Sequence, residues 1–148
     1  MSFRCSRVLL LTQVVAIGVL SFAAQSIAQS ANPRVSINSS VILVESAREP
    51  AAVQRATQDL RKDFTRVFGQ SPRLESTLEA SQPVTLLITD REHLPAGIPC
   101  TATSDTEGFA FSVVRLADPK RTVVCLVGAD MRGTIFAIYQ FSQSVLGV

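Results

Sequence analysis

The chain has no tryptophan, one tyrosine and one histidine among 148 residues. Sugar rings are commonly held against flat aromatic faces, so a carbohydrate cleft built by this chain alone is not expected. The one tyrosine, Tyr139, lies inside an apolar helical pattern and reads as core. His93 has no second histidine or cysteine pair near it, which excludes the usual zinc ligand sets. It reads as a solvated loop residue, and no metal or cofactor is expected. No Gly-x-Ser-x-Gly nucleophile elbow is present. Gly128 and Gly133 flank Ala129 to Arg132, but the remaining glycines and the lysine of a dinucleotide or phosphate loop are missing.

What is present begins at the amino terminus. Arg4 and Arg7 precede an apolar run from Val8 to Ala24, followed by Ser26, Ile27 and Ala28. A basic start, an apolar helix-length run and small side chains at the last and third-last positions make a secretory signal peptide. Residues 1–28 are therefore expected to be removed after Ala28, which places the remainder outside the cytoplasm, secreted or periplasmic. The run approaches the roughly 20 residues that span a bilayer. Gln13, Gly18 and the Ser26 to Ala28 pattern favour the signal over an anchor, so no membrane association is expected after cleavage.

Charge of one sign is also lacking. Of 14 basic residues Arg4 and Arg7 leave with the signal, so twelve remain against 12 acids. A balanced chain gives no electrostatic reason to bind nucleic acid or an anionic membrane. Of 3 cysteines, Cys5 leaves with the signal, and Cys100 and Cys125 can form only one intramolecular pair. An oxidising compartment allows that bridge. Cys125 lies in the apolar run Val123 to Val127, where a free thiol would serve equally as a small hydrophobe.

Residues 29–40 are polar and read as a tether. Within it, Asn38-Ser39-Ser40 matches a glycosylation sequon, which matters only in a eukaryotic source. The rest, residues 41–148, suits one domain with a modest core. Val41 to Val44 is a strand-like run. Val53, Ala56, Leu60, Phe64, Val67 and Phe68 then recur at helical steps after Pro50, with Gly69 at the end. A loop is expected from Gln70 to Pro83, and a buried strand over Val84 to Thr89. Phe109 to Leu116 and Thr122 to Gly128 predict an antiparallel hairpin turning at Asp118 to Arg121. Met131 to Val145 predicts a second helix, with Asp130 as its N-cap. The order strand, helix, three strands, helix predicts a two-layer α/β sandwich, a small mixed sheet with two helices on one face.

Candidate chemistry narrows to Asp90 and Asp130, each just after a buried strand, where open α/β sheets collect ligands. Acid and base work by this pair is conceivable, but a turn-opening Asp90 and a helix-capping Asp130 account for both residues without catalysis.

The segment Gly128-Ala-Asp-Met-Arg-Gly-Thr-Ile-Phe-Ala-Ile-Tyr139, closing on Phe141 to Val148, carries a resemblance. It resembles the Gly-Ser-Asp-x-Arg-Gly-Thr-Ile-Tyr-Gly-Ile-Tyr stretch that closes the amino-terminal domain of family 115 glycoside hydrolases, the xylan α-1,2-glucuronidases. The helix from Ala51 to Phe68, with Ala-x-x-Asp-Leu-x-x-Asp-Phe at Ala56 to Phe64, is similar to that domain's first helix. Phe136, Ala137 and Ala129 depart from the family's Tyr, Gly and Ser. The resemblance implies a fold like the hexosaminidase amino-terminal domain and a parent enzyme that takes 4-O-methyl-glucuronic acid from glucuronoxylan. It also implies that the catalytic carboxylates lie in a barrel beyond Val148, leaving no catalytic residue here. Asp130, Arg132 and Gly133 then become candidates for docking that barrel, with the arginine, unfavourable near a helix start, needing a compensating contact. A free-standing exported binding module with no enzymatic parent is the other reading that the residues allow.

Overall fold

The computed structural model describes residues 34–78, 83–117 and 120–148. The expected signal segment, the start of the expected tether, residues 79–82 of the expected Gln70 to Pro83 loop, and Asp118 and Pro119 of the expected hairpin turn lie outside them. Among the described residues no helix is long and apolar enough to cross a membrane.

Strand β1 (Ile42–Glu45) is buried along its whole length. The chain then turns through Ser46 to Glu49 into helix α1 (Ala51–Phe68), whose first two bonded amides, those of Val53 and Gln54, donate to the Pro50 carbonyl. Proline stands here as the N-cap, with φ -56° and a non-helical ψ of 147°, and the residue after it begins the helix. At the other end Gly69 takes a left-handed φ of 75° and donates its N–H to the Thr65 carbonyl at 2.9 Å. Glycine adopts that conformation without a Cβ penalty.

The expected loop from Gln70 to Pro83 contains a strand, β2 (Arg73–Glu75), paired in parallel with β1. Three residues are too few to show an alternating pattern, so its pairing rather than its composition makes it a strand. β3 (Val84–Asp90), β4 (Phe109–Leu116) and β5 (Arg121–Gly128) complete the sheet in the order β2-β1-β3-β5-β4. The neighbours β2, β1, β3 and β5 run parallel, while β4 pairs antiparallel with β5 as the hairpin expectation required. Helix α2 (Met131–Phe141) stops short of the expected Val145. A π-helical turn from Ser142 to Leu146 follows it, closed by Gly147 at φ 75°.

Alternation along the strands sorts the core into two clusters. Leu43, Leu86, Ile88, Val124 and Leu126 face Val53, Leu60 and Phe64 of α1 and Ala137, Ile138 and Phe141 of α2. Ile42, Val44, Leu87, Val123, Cys125 and Val127 point the other way. Burial on both sides explains why the central strands read as continuous apolar runs. Both helices cover the first face, giving the two-layer α/β sandwich. The second face is covered by Leu78, Leu94, Ile98, Cys100 and Leu116, most of them from connecting segments. A disulfide between Cys100 and Cys125 fastens that cover to the sheet, with Cα atoms 6.0 Å apart.

The helices are joined by aromatic packing and by polar contacts. Phe64 stacks on Phe141 with ring centroids 6.5 Å apart. Ser142 Oγ donates to Asp63 at 2.5 Å, and the Tyr139 hydroxyl donates to Asp59 at 3.2 Å. Tyr139 is not core as its sequence setting suggested; it is 42% exposed on the outer side of α2. Its phenol reaches across to α1, a contact that helical periodicity cannot register.

Candidate functional site

Carboxylates gather where β1 and β3 end. Glu45 is the last residue of β1, Glu49 stands four residues on beside Pro50, and Asp90 is the last residue of β3. Because β1 and β3 are parallel neighbours, their exits lie side by side. All three acids are buried, Glu49 to 3% exposure. Glu45 accepts from the Thr57 hydroxyl at 2.5 Å, and Glu49 Oε1 accepts from the Thr89 hydroxyl at 3.3 Å. Asp90 Oδ1 accepts the His93 backbone N–H at 2.9 Å and lies 2.8 Å from His93 Nδ1.

The surroundings raise Glu45, Glu49 and His93 for different reasons. Burial pushes the Glu45 carboxyl above its ordinary range, against the opposing Thr57 hydrogen bond. Burial also raises Glu49, and the negative charge of Asp90 adds to it. The imidazolium of His93 is favoured, first by its bond to Asp90 and then by that carboxylate's charge.

His93 therefore departs from expectation. It does not stand alone in a solvated loop: a nitrogen of its ring, a Glu49 oxygen and an Asp90 oxygen all lie within 4.8 Å of one another. The expectation of no metal-ligand set rested on sequence neighbours, whereas Glu49 reaches the group through β1–β3 pairing. Glu49 was missed because a glutamate just before the proline that opens a helix reads as a solvated lead-in. Asp90, the acid that ends β3, was the available signal for the group, whereas Glu49 lies four residues beyond β1.

Asp90 and Asp130, weighed together as acid and base, have different partners. Asp130 caps α2, its Oδ1 accepting from Gly133 N at 2.9 Å and its Oδ2 from Glu107 N at 2.8 Å. Those two backbone donors, Gly133 first, hold its carboxyl below the ordinary aspartate range.

The rest of the motif serves the same junction. Arg132, expected to seek its compensating contact in a separate barrel, finds it at Glu107 within the domain, 2.6 Å away. Gly133 packs on the chain's own backbone, and a Cβ there would fall 2.1 Å from the Gly108 carbonyl oxygen. Gly128 faces Thr134 as closely: a Cβ on it would fall 2.1 Å from the Thr134 amide nitrogen. Ala129 N donates to the Gly108 carbonyl at 2.8 Å. Glu107 itself sits at a φ of 59°, uncommon for a side chain other than glycine. The segment from Gly128 to Thr134 is thus a clamp on the Glu107-Gly108 turn. Glu107 and Gly108 escaped notice because nothing local in the sequence joins them to the motif.

A depression of about 380 Å³ between the helices is lined by Ala51, Ala52, Arg55, Ala56, Ile135 and Tyr139. It offers one aromatic ring and no carboxylate.

Fold and motif together define a small two-layer α/β domain whose signature segment braces its own architecture. Residues 22–141 match the family described as Glycosyl hydrolase family 67 N-terminus, and the chain belongs to that family. Its fold is similar to part of a solved family GH115 4-O-methyl-α-glucuronidase with specificity for decorated arabinogalactans, at 19% identity and a TM-score of 0.56. That similarity covers 76% of this chain and 14% of the solved one. Comparison with curated proteins gives no match.

Proposed function

We propose that this chain is the amino-terminal accessory domain of an exported family 115 α-glucuronidase that removes 4-O-methyl-glucuronic acid from glucuronoxylan, and that it is non-catalytic alone. The observation that carries this reading is the family match over residues 22–141, because it names an amino-terminal domain of a glycosyl hydrolase. The Gly128 to Tyr139 segment supports the choice of family 115 over family 67. Residues 1–28 direct export and are removed after Ala28.

Two carboxyl groups roughly 5 to 9.5 Å apart around a bound sugar are the minimum for most glycosidases. Asp130 accepts backbone donors and Asp90 is paired with His93, which leaves neither free for a substrate. The partner is a catalytic barrel. Its docking side is the outer surface of α2 and the turn after it, where Phe136, Tyr139, Val145 and Val148 are exposed.

The test is release of uronic acid from glucuronoxylan and from a decorated arabinogalactan. The purified chain should release none from either. Joined after Val148 to a family 115 barrel, it should act on glucuronoxylan, and Asp90→Asn should change the rate little. Hydrolysis by the isolated chain that Asp90→Asn or Asp130→Asn abolishes would overturn the accessory reading. Activity of the joined enzyme on arabinogalactan alone would overturn the substrate.

A further inference from the structure

The carboxyl edge of the sheet holds a charge arrangement that the domain's own donors do not complete. Glu49 is 3% exposed, and its Oε2 is buried with no hydrogen-bond partner. A buried carboxylate oxygen without a donor is costly unless a proton or a cation meets it. Another acid, Asp90, itself only 8% exposed, offers an oxygen within 4.8 Å of a Glu49 oxygen. The third group, His93, approaches from the solvent side with its side chain 46% exposed. One imidazole and two carboxylates from two separate points of the chain are a donor set suited to a divalent cation of borderline softness.

We propose that Glu49, Asp90 and His93 bind one divalent transition-metal ion, with zinc as the type, which links the turn before α1 to the loop after β3. Tetrahedral ligands about 2.1 Å from a shared zinc ion lie about 3.4 Å apart. The three donor atoms lie within 4.8 Å of one another, so a shift of at most about 1.4 Å at the widest pair completes the set. The half-exposed His93 ring has room to make that movement.

The chemistry is a replacement. His93 Nδ1 and Asp90 Oδ1 now share a proton at 2.8 Å. The ion takes the place of the hydrogen between them: a neutral His93 carries its hydrogen on Nε2 instead, an imidazolium gives its Nδ1 proton to solvent, and in either case the Nδ1 and Oδ1 lone pairs turn to the metal. Glu49 supplies the second carboxylate, and water completes the coordination. The proposal does not depend on the glucuronidase reading, because it concerns only the junction of β1, β3 and α1.

Calorimetric titration of the purified chain, untagged and stripped with EDTA, with zinc chloride at pH 7 is the direct test. One zinc ion per chain should bind, and zinc should raise the thermal midpoint. His93→Gln, at a half-exposed position that leaves the fold intact, should weaken binding at least about tenfold. Glu49→Gln should do the same. The proposal fails if the unmodified chain neither binds zinc nor gains thermal stability from it. It fails equally if His93→Gln binds zinc as tightly as the unmodified chain, or if calcium binds as well as zinc and is indifferent to His93→Gln.

Discussion

The two faces of the sheet are built from equally apolar strands but covered in different ways. On one, α1 and α2 bring Val53, Leu60, Phe64, Ala137, Ile138 and Phe141 as two preformed surfaces. On the other, Leu94, Ile98 and Cys100 arrive on a connection without regular structure, and the bond from Cys100 to Cys125 fastens it. A helix satisfies its own backbone and presents several side chains together, so its cover is held by packing. An irregular segment pays more ordering entropy for each residue it brings, and a covalent link can offset that cost by restricting the unfolded chain. The faces should therefore fail differently.

Breaking the helical cover should have the largest effect. Phe64 is fully buried and stacks on Phe141, so Phe64→Ala removes a ring that touches both helices. The expected loss is about 3 to 5 kcal/mol in urea unfolding. A loss under about 1 kcal/mol would mean that the helical cover is not the main source of stability.

Breaking the loop cover should cost somewhat less and act locally. Cys100 and Cys125 are 25 residues apart, and a bridge closing a loop of that length is worth about 3 to 4 kcal/mol in the chain-entropy account. In Cys100→Ser/Cys125→Ser, hydrogen exchange should quicken first between Arg91 and Gly108 while α1 keeps its protection. Uniform loss of protection across both faces would show that the two covers are one cooperative unit. A chain lacking residues 1–28, denatured but not reduced, should present no free thiol.

The contrast between the faces also explains what was readable beforehand. The α1 stripe and the central strands were legible because each repeats a local period that burial demands. Gly69 was legible as a helix end and Asp130 as a cap, since both tasks are set by the nearest residues. What crosses between elements was not. β2 is a strand only through β1, and Arg132 finds Glu107 because the hairpin returns the chain. The cluster at Glu49, Asp90 and His93 needs β1 and β3 side by side, which no single segment announces. The choice between bridge and free thiols turned likewise on a distance, the 6.0 Å between two Cα atoms, that spacing in sequence leaves open.

Asp130 is where the two covers meet, and its titration should give the smallest and most specific effect. Its Oδ1 accepts from Gly133 of the helix layer, and its Oδ2 accepts from Glu107, on the connection that also carries Cys100. Both bonds favour the carboxylate, so folding lowers the pKa of this group. The resulting stabilisation is complete above the pKa of an unfolded aspartate and is lost as pH falls through the lower folded value. Glu45 and Glu49, raised by burial, act with the opposite sign: they favour the folded state as pH falls from neutral through their folded values. Total stability against pH therefore mixes the two, and only a difference isolates Asp130. In Asp130→Asn the amide oxygen can still cap Gly133, but its NH₂ would meet the Glu107 N–H, donor against donor. The variant should melt several degrees below the unmodified protein at pH 7, and the gap should narrow as pH falls below the ordinary aspartate range. A gap that stayed constant from pH 7 to pH 3 would mean that Asp130 joins the layers by shape alone and that its charge contributes nothing.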